Sequence, residues 1–77
     1  MVPATKEELS KMITQTTREV YEELTPQLIM LLDQTKKNEQ LSADQKQDEI
    51  MLDMMGFVKS CTNEIMIDVL AEILGID

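Results

Sequence analysis

The stretch KKNEQLSADQ, residues 36–45, separates the two halves of this 77-residue chain and decides how they fold. Its first part is polar and predicts the end of a helix and a turn over residues 38–41. Ser42 and Gln45 have the spacing of a capping box, in which each side chain binds a backbone N–H at the start of a helix. A new helix is therefore expected to begin at about Ala43.

The half before the turn has the pattern of an amphipathic helix. Thr5 and Glu8 show a second capping-box spacing, which predicts a helix start at residue 6. Thr25-Pro26 interrupts the pattern, because proline suits the first turn of a helix better than the interior. We therefore expect helices over 6–24 and 26–37, with Thr25 as the cap of the second. The first has apolar residues at helical spacing: Leu9, Met12, Ile13, Val20, Tyr21 and Leu24.

The half after the turn has two apolar stripes that do not line up. At 100° per residue, the apolar positions of residues 50–61 cluster about a quarter turn or more away from those of residues 65–73. A break is therefore expected in residues 60–63, with Thr62 or Asn63 as the N-cap. Helices over 43–60 and 63–74 follow, the last one ending at Gly75.

These elements predict an all-α fold, a single acidic helical domain over residues 1–77 built as a small bundle of four short helices. The alternative is a kinked two-helix hairpin that turns at residues 38–41 and dimerises into a four-helix bundle. No strand is expected, because alternation of apolar and polar residues never persists.

A chain of this length has few ways to stabilise a small core. Below about 70–80 residues one core rarely supplies more than about 3–5 kcal/mol, and disulfides, a metal or association supply the rest. Cys61 is the only cysteine and histidine is absent, so an internal disulfide and a structural zinc site are excluded. Association remains, and a homodimer is expected.

The charge limits the partners. Seven basic and fifteen acidic residues give a net charge of −8, which opposes nucleic acid and anionic membranes, so neither is expected as a direct partner. Residues 40–77 carry eight of the acids and only two bases, so a protein partner with a basic surface is favoured there. The longest apolar run is residues 28–32, and the N-terminus lacks a signal-peptide pattern, so a cytoplasmic location is expected.

Catalysis and cofactor binding are not expected. There is no histidine to activate a nucleophile and no glycine-rich phosphate loop. Glu64 and Asp68 could act as an acid/base pair, but their i, i+4 spacing is more typical of a solvated helix face. Residues 33–44 have the length of a calcium loop but fail in detail, since Lys37 occupies a ligand position and Asn38 replaces the glycine. No enzyme, metal site or cofactor is predicted.

A Met-containing apolar surface is the predicted functional site. Methionine adapts to irregular partners as well as to irregular cores. On a straight helix, Leu52 and Met55 lie off the main apolar stripe, and the last helix is apolar on more than one side, so part of this surface needs a cover. The predicted partner interface is Met51, Leu52, Met55, Ile67 and Leu70, and the predicted acidic rim is Asp53, Asp68 and Glu72.

The sequence therefore favours a small acidic protein–protein interaction module, such as an adaptor, a chaperone-like protein, or a regulatory phage- or plasmid-encoded inhibitor. Apolar burial would provide affinity, and the acids would select a partner with a basic rim. Two alternatives stay open. One is a DNA mimic that inhibits a basic DNA-binding protein, and the other is a purely structural oligomerisation domain.

Residues 16–38, TTREVYEELTPQLIMLLDQTKKN, resemble the helix–proline–helix layout of the dimerisation/docking domains of cAMP-dependent kinase regulatory subunits. Such domains form dimers that bind an amphipathic anchoring helix. The acidic second half of the chain has no counterpart in them, and the resemblance assigns no site residues here.

Overall fold

Two long helices make up almost all of the structure. The computed structural model describes residues 2–76, in which α1 spans Lys6–Lys37, α2 spans Ala43–Leu74, and no strand is present. Residues 38–42 connect them, and the two helices return alongside each other as an antiparallel hairpin of 53 × 22 × 15 Å.

Local capping sequences fix the ends of both helices. The Glu8 N–H donates to Thr5 Oγ1 at 3.1 Å, and the Glu8 carboxylate accepts from the Ala4 N–H at 2.7 Å. Ser42 and Gln45 form the complete reciprocal box, with bonds of 3.2 and 2.9 Å. Gly75 ends α2 in the left-handed conformation, with φ of 70°. These three ends agree with the sequence prediction, and so does the end of α1 at Lys37.

The prediction of four short helices is wrong at Pro26, which lies inside α1. Thr25 is not a cap, because its hydroxyl donates to the Tyr21 carbonyl one turn back within the same helix. Proline removes the N–H that would bind the Glu22 carbonyl. Glu22 and Pro26 are both exposed, so water can hydrate that carbonyl and the helix continues. The chain therefore lacks the helix–proline–helix layout on which the resemblance to the kinase regulatory subunits was based.

The predicted break in residues 60–63 is also wrong, because Thr62 lies inside α2 and donates its hydroxyl to the Val58 carbonyl at 2.8 Å. The apolar stripe does not jump but turns gradually. The least exposed positions after the middle of α2 recur every four residues, and each step advances about 40° around the helix. Such a row is inclined to the helix axis, so α1 follows it obliquely. The positions are Phe57, Cys61, Ile65, Val69 and Ile73.

The contact between α1 and α2, here called the seam, is thin. Among residues 2–76 only Val20, Cys61 and Val69 are buried. Tyr21 and Phe57 meet across the seam edge to face, with ring centroids 5.5 Å apart and planes at 88°. The two-helix hairpin of the alternative prediction is thus confirmed, whereas the kinks expected in its helices and the association of two hairpins stay predictions.

Polar contacts fix the register near the turn. Thr35 donates to Asp53 Oδ2 at 2.9 Å, and Lys46 Nζ donates to the Lys36 carbonyl at 2.8 Å. Both bonds join the last turn of α1 to the first three turns of α2. They therefore fix the alignment of the two helices next to the connection.

Candidate interaction surface

The hairpin has two broad faces, one on each side of the seam, and their chemistry differs. Each face is defined by the two rows, one on each helix, that flank the seam and whose residues are spaced four apart. Successive members of such a row stay on the same side of the hairpin, because the seam turns around the helix by the same angle every four residues. The apolar face consists of one row from α1 and one from α2: Ile13, Thr17, Tyr21, Thr25 and Ile29, and Met54, Val58, Thr62, Met66, Leu70 and Leu74.

A shared depression shows that the two rows lie on one side of the hairpin. Ile13 of α1 lines it together with Met66 and Leu70 of α2, and the seam residues Ile65 and Val69 form its floor. The depression measures about 240 Å³ and has an almost entirely apolar lining. A concave apolar strip between two helices is a shape that a helix or large side chain from another protein can fill.

The apolar face is exposed and uncharged. The exposed fraction of its apolar α2 side chains runs from 49% at Leu70 to 66% at Leu74, and neither row contains a charged residue between Ile13 and Ile29 or between Met54 and Leu74. Exposed apolar patches of this extent on soluble proteins mark interaction sites. The face is therefore the best candidate for contact with another protein.

The three threonines of this face do not prevent its burial. The Thr17 hydroxyl donates to the Ile13 carbonyl at 2.7 Å, Thr62 donates to Val58 at 2.8 Å, and Thr25 donates to Tyr21. A hydroxyl that lost water without another partner would cost about 1–3 kcal/mol. Because each of these donors is already satisfied within its own helix, a partner can cover the face without this penalty.

The opposite face is acidic. A groove of about 370 Å³ runs along it near the middle of the hairpin and places Gln27 and Leu31 of α1 beside Leu52, Gly56 and Ser60 of α2. The same rows continue towards the termini as exposed carboxylates, and the Gln15 side chain donates to Glu19 at 2.9 Å. The acids of this face are Glu19 and Glu23 on α1, and Glu64, Asp68 and Glu72 on α2.

The five predicted interface residues are all exposed but do not form one surface. Leu70 lies on the apolar face. Met51, Met55 and Ile67 belong to the neighbouring four-residue row, on the back of α2, and Ile67 shares a depression with Met66 and Leu70. Leu52 lines the groove on the acidic face. Four of the five residues therefore lie on adjoining rows of α2, and Leu52 lies apart from them.

The three predicted rim acids also separate. Asp68 and Glu72 are exposed on the acidic face, one turn apart. Asp53 lies at the seam, partly buried, where it accepts the hydrogen bond from Thr35, so it contributes to the register of the hairpin.

Sequence reasoning missed most of the apolar face. Met54 and Val58 belong to the apolar stripe of residues 50–61 and Met66 to the stripe of residues 65–73, yet all three are exposed, by 51%, 50% and 55%. The signal that could have identified them is the unbroken four-residue spacing of apolar or threonine residues from Met54 to Leu74. That spacing continues across the supposed break and so also indicates a single helix.

The remaining chemistry of the described residues is sparse. Cys61 is a free, buried cysteine, and burial raises the pKa of its thiol. A thiol with a raised pKa is less ionised at neutral pH and hence a poor nucleophile. Within residues 2–76, no group of three acidic or cysteine side chains is arranged to hold a metal ion, and no helix is long and apolar enough to cross a membrane.

Comparisons with known proteins assign no relative. No protein-family model matches the chain, and no curated protein or solved structure matches it significantly.

Proposed function

We propose that this protein is an acidic protein–protein interaction module that binds through the apolar face of its hairpin, in a binding and not a catalytic role. The observation that carries the proposal is the separation of chemistry between the two faces. One face combines exposed Met, Val and Leu side chains with satisfied threonines, and the other presents at least five carboxylates.

The two faces have different tasks in this proposal. Burial of the apolar face supplies affinity at about 25 cal/mol per Å² of apolar surface. The carboxylates stay in water, keep the assembly soluble, and favour partners with basic edges. Cys61 remains a reduced thiol in the proposed setting, the cytoplasm.

Two exposed methionines provide a matched test. Met66 lies on the apolar face and Met30 on the back of α1, and their exposed fractions are similar, 55% and 63%. The same exchange to glutamate at either position adds the same charge. We expect Met66→Glu to abolish association with protein partners, including other copies of the chain, and Met30→Glu to leave it intact. The measurement is quantitative affinity capture with wild-type and variant baits.

A salt series in the same experiment tests the DNA-mimic alternative, which the carboxylates of the acidic face favour. Binding through those carboxylates weakens steeply as salt rises, and Asp68→Asn reduces it while Met66→Glu does not. Binding through the apolar face shows the reverse pattern. Equal capture by the wild type and by Met66→Glu at high salt contradicts the proposed function.

A further inference from the structure

We propose that the occupant of the apolar face is a second copy of this chain, so that two hairpins pack face to face as a four-helix bundle. This inference rests on the proposed function, because it assigns the partner of the same surface. It follows from the size of the face, from the distribution of charge, and from how little each hairpin buries alone.

The face lies within the size range of stable interfaces. Its rows span 17 residues of α1 and 21 residues of α2, which are about 24 and 30 Å at 1.5 Å per residue, on a hairpin 22 Å wide. The projected area of the face is therefore about 30 × 22, or 660 Å², and stable complexes bury about 600–1,000 Å² per partner. The same rows of a second hairpin have the same length and width, so a second copy matches the face in extent.

Charge disfavours pairing of two copies through their acidic faces. Each chain carries a net charge of −8. Contact between two acidic faces would bring Glu19, Glu23, Glu64 and Asp68 of each copy against those of the other. The apolar face has no charged residue in either row, so two copies can meet there without desolvating a carboxylate. The carboxylates of the acidic face then lie on the outside of the bundle.

The two 32-residue helices of the hairpin need further packing against a second copy to be stable. Only three side chains are buried within the described chain, and helices in water depend mainly on packing of an apolar face for their stability. An isologous two-fold contact doubles every interaction that one copy makes. Tyr21 and Phe57, which already meet at the edge of the seam, lie near the middle of the hairpin, where the two copies cross.

The test is sedimentation equilibrium of the full chain from about 0.1 to 100 μM, with circular dichroism on the same samples. We expect a wild-type dimer. Met66→Glu is expected to raise the dissociation constant by at least about a hundredfold, because it buries a carboxylate in each copy. Met30→Glu is expected to change it by less than about threefold, because the back of α1 stays in water.

Loss of the dimer in a variant that also unfolds would not distinguish a lost contact from a lost fold. A second measurement therefore uses the wild type alone. If folding and pairing are coupled, the melting temperature rises with protein concentration. A folded wild-type monomer throughout the range, with a melting temperature independent of concentration, overturns the second copy but leaves the apolar face available to a different protein. A dimer that Met30→Glu dissociates and Met66→Glu does not overturns both this inference and the proposed function.

Discussion

Replacing Pro26 with alanine tests whether α1 is one continuous helix. An interior proline costs about 3 kcal/mol relative to alanine, because it removes one backbone bond and crowds the preceding turn. Pro26 is exposed, so its ring contributes little packing that the substitution could remove. Alanine also gives the unfolded backbone more freedom, which returns about 0.5–1 kcal/mol to the unfolded state. The net expectation is a gain of about 2 kcal/mol in the free energy of unfolding.

Urea denaturation followed by circular dichroism measures this gain. With a slope of about 1–2 kcal/mol per molar urea for a small protein, the midpoint should rise by about 1–2 M. All variants must be compared at one protein concentration, because association shifts apparent stability. Gln27→Ala is the matched control, since Gln27 is the next residue, also exposed, and the exchange changes helix propensity by only a few tenths of a kcal/mol.

The opposite result would refute the reasoning. If Pro26 were the first residue of a separate helix capped by Thr25, proline would be favourable there, and alanine would leave the midpoint unchanged or lower it. An unchanged midpoint for Pro26→Ala beside an unchanged Gln27→Ala would therefore favour the broken helix over the continuous one.

Three further experiments test α2 and its contact with α1. Gly56→Ala should stabilise α2 by about 1 kcal/mol, because an added methyl group meets no atom within 4 Å and alanine is the better helix former; a lower urea midpoint would contradict this. A double-mutant cycle of Thr35→Val and Asp53→Ala should give a coupling of about 1 kcal/mol for their hydrogen bond, and a coupling near zero would mean that the bond does not hold the register. Because burial raises the pKa of the Cys61 thiol, the unfolded chain ionises first as the pH rises, and stability should fall as the pH passes the ordinary thiol pKa of about 8.5. Cys61→Ala should remove that part of the decline, and identical pH profiles of the two proteins would show that the thiol does not contribute to it.

The helix ends were predictable from the sequence because they depend on local chemistry. Thr5, Ser42 and Gly75 each act through bonds to residues within a few positions, and such bonds form wherever a helix starts or stops. The turn between the helices follows from the same signals.

The junctions inside the two long helices were not predictable in the same way. Pro26 is a local signal for a helix start, but one missing backbone bond at an exposed position is outweighed by the contacts that α1 makes along its 32 residues. In α2, a helical wheel drawn for a straight helix showed the gradually turning seam as two separate apolar stripes. The direction of the partner helix decides how the seam turns, and that direction is a tertiary property.

The assumption of a straight apolar stripe also decided how the predicted interface residues were grouped. Leu52, Met55 and Ile67 lie off a straight apolar stripe and were grouped for that reason, but the turning seam places Leu52 on the acidic face and the other two on the back of α2. Asp53 was expected in the rim from its charge alone, and its bond to Thr35 depends on the pairing of the helices. Exposure could be inferred from periodicity, whereas the grouping of exposed residues required the hairpin geometry.

Small-angle X-ray scattering of the wild-type protein tests the face-to-face pairing most directly, because it gives mass and length together. One chain has a mass of 8.8 kDa, and one hairpin is 53 Å long. Pairing through the apolar faces predicts a particle of 2 × 8.8, or 17.6 kDa, whose maximum dimension stays close to the length of one hairpin. A folded 8.8 kDa particle, or a dimer about twice as long as one hairpin, would contradict that pairing.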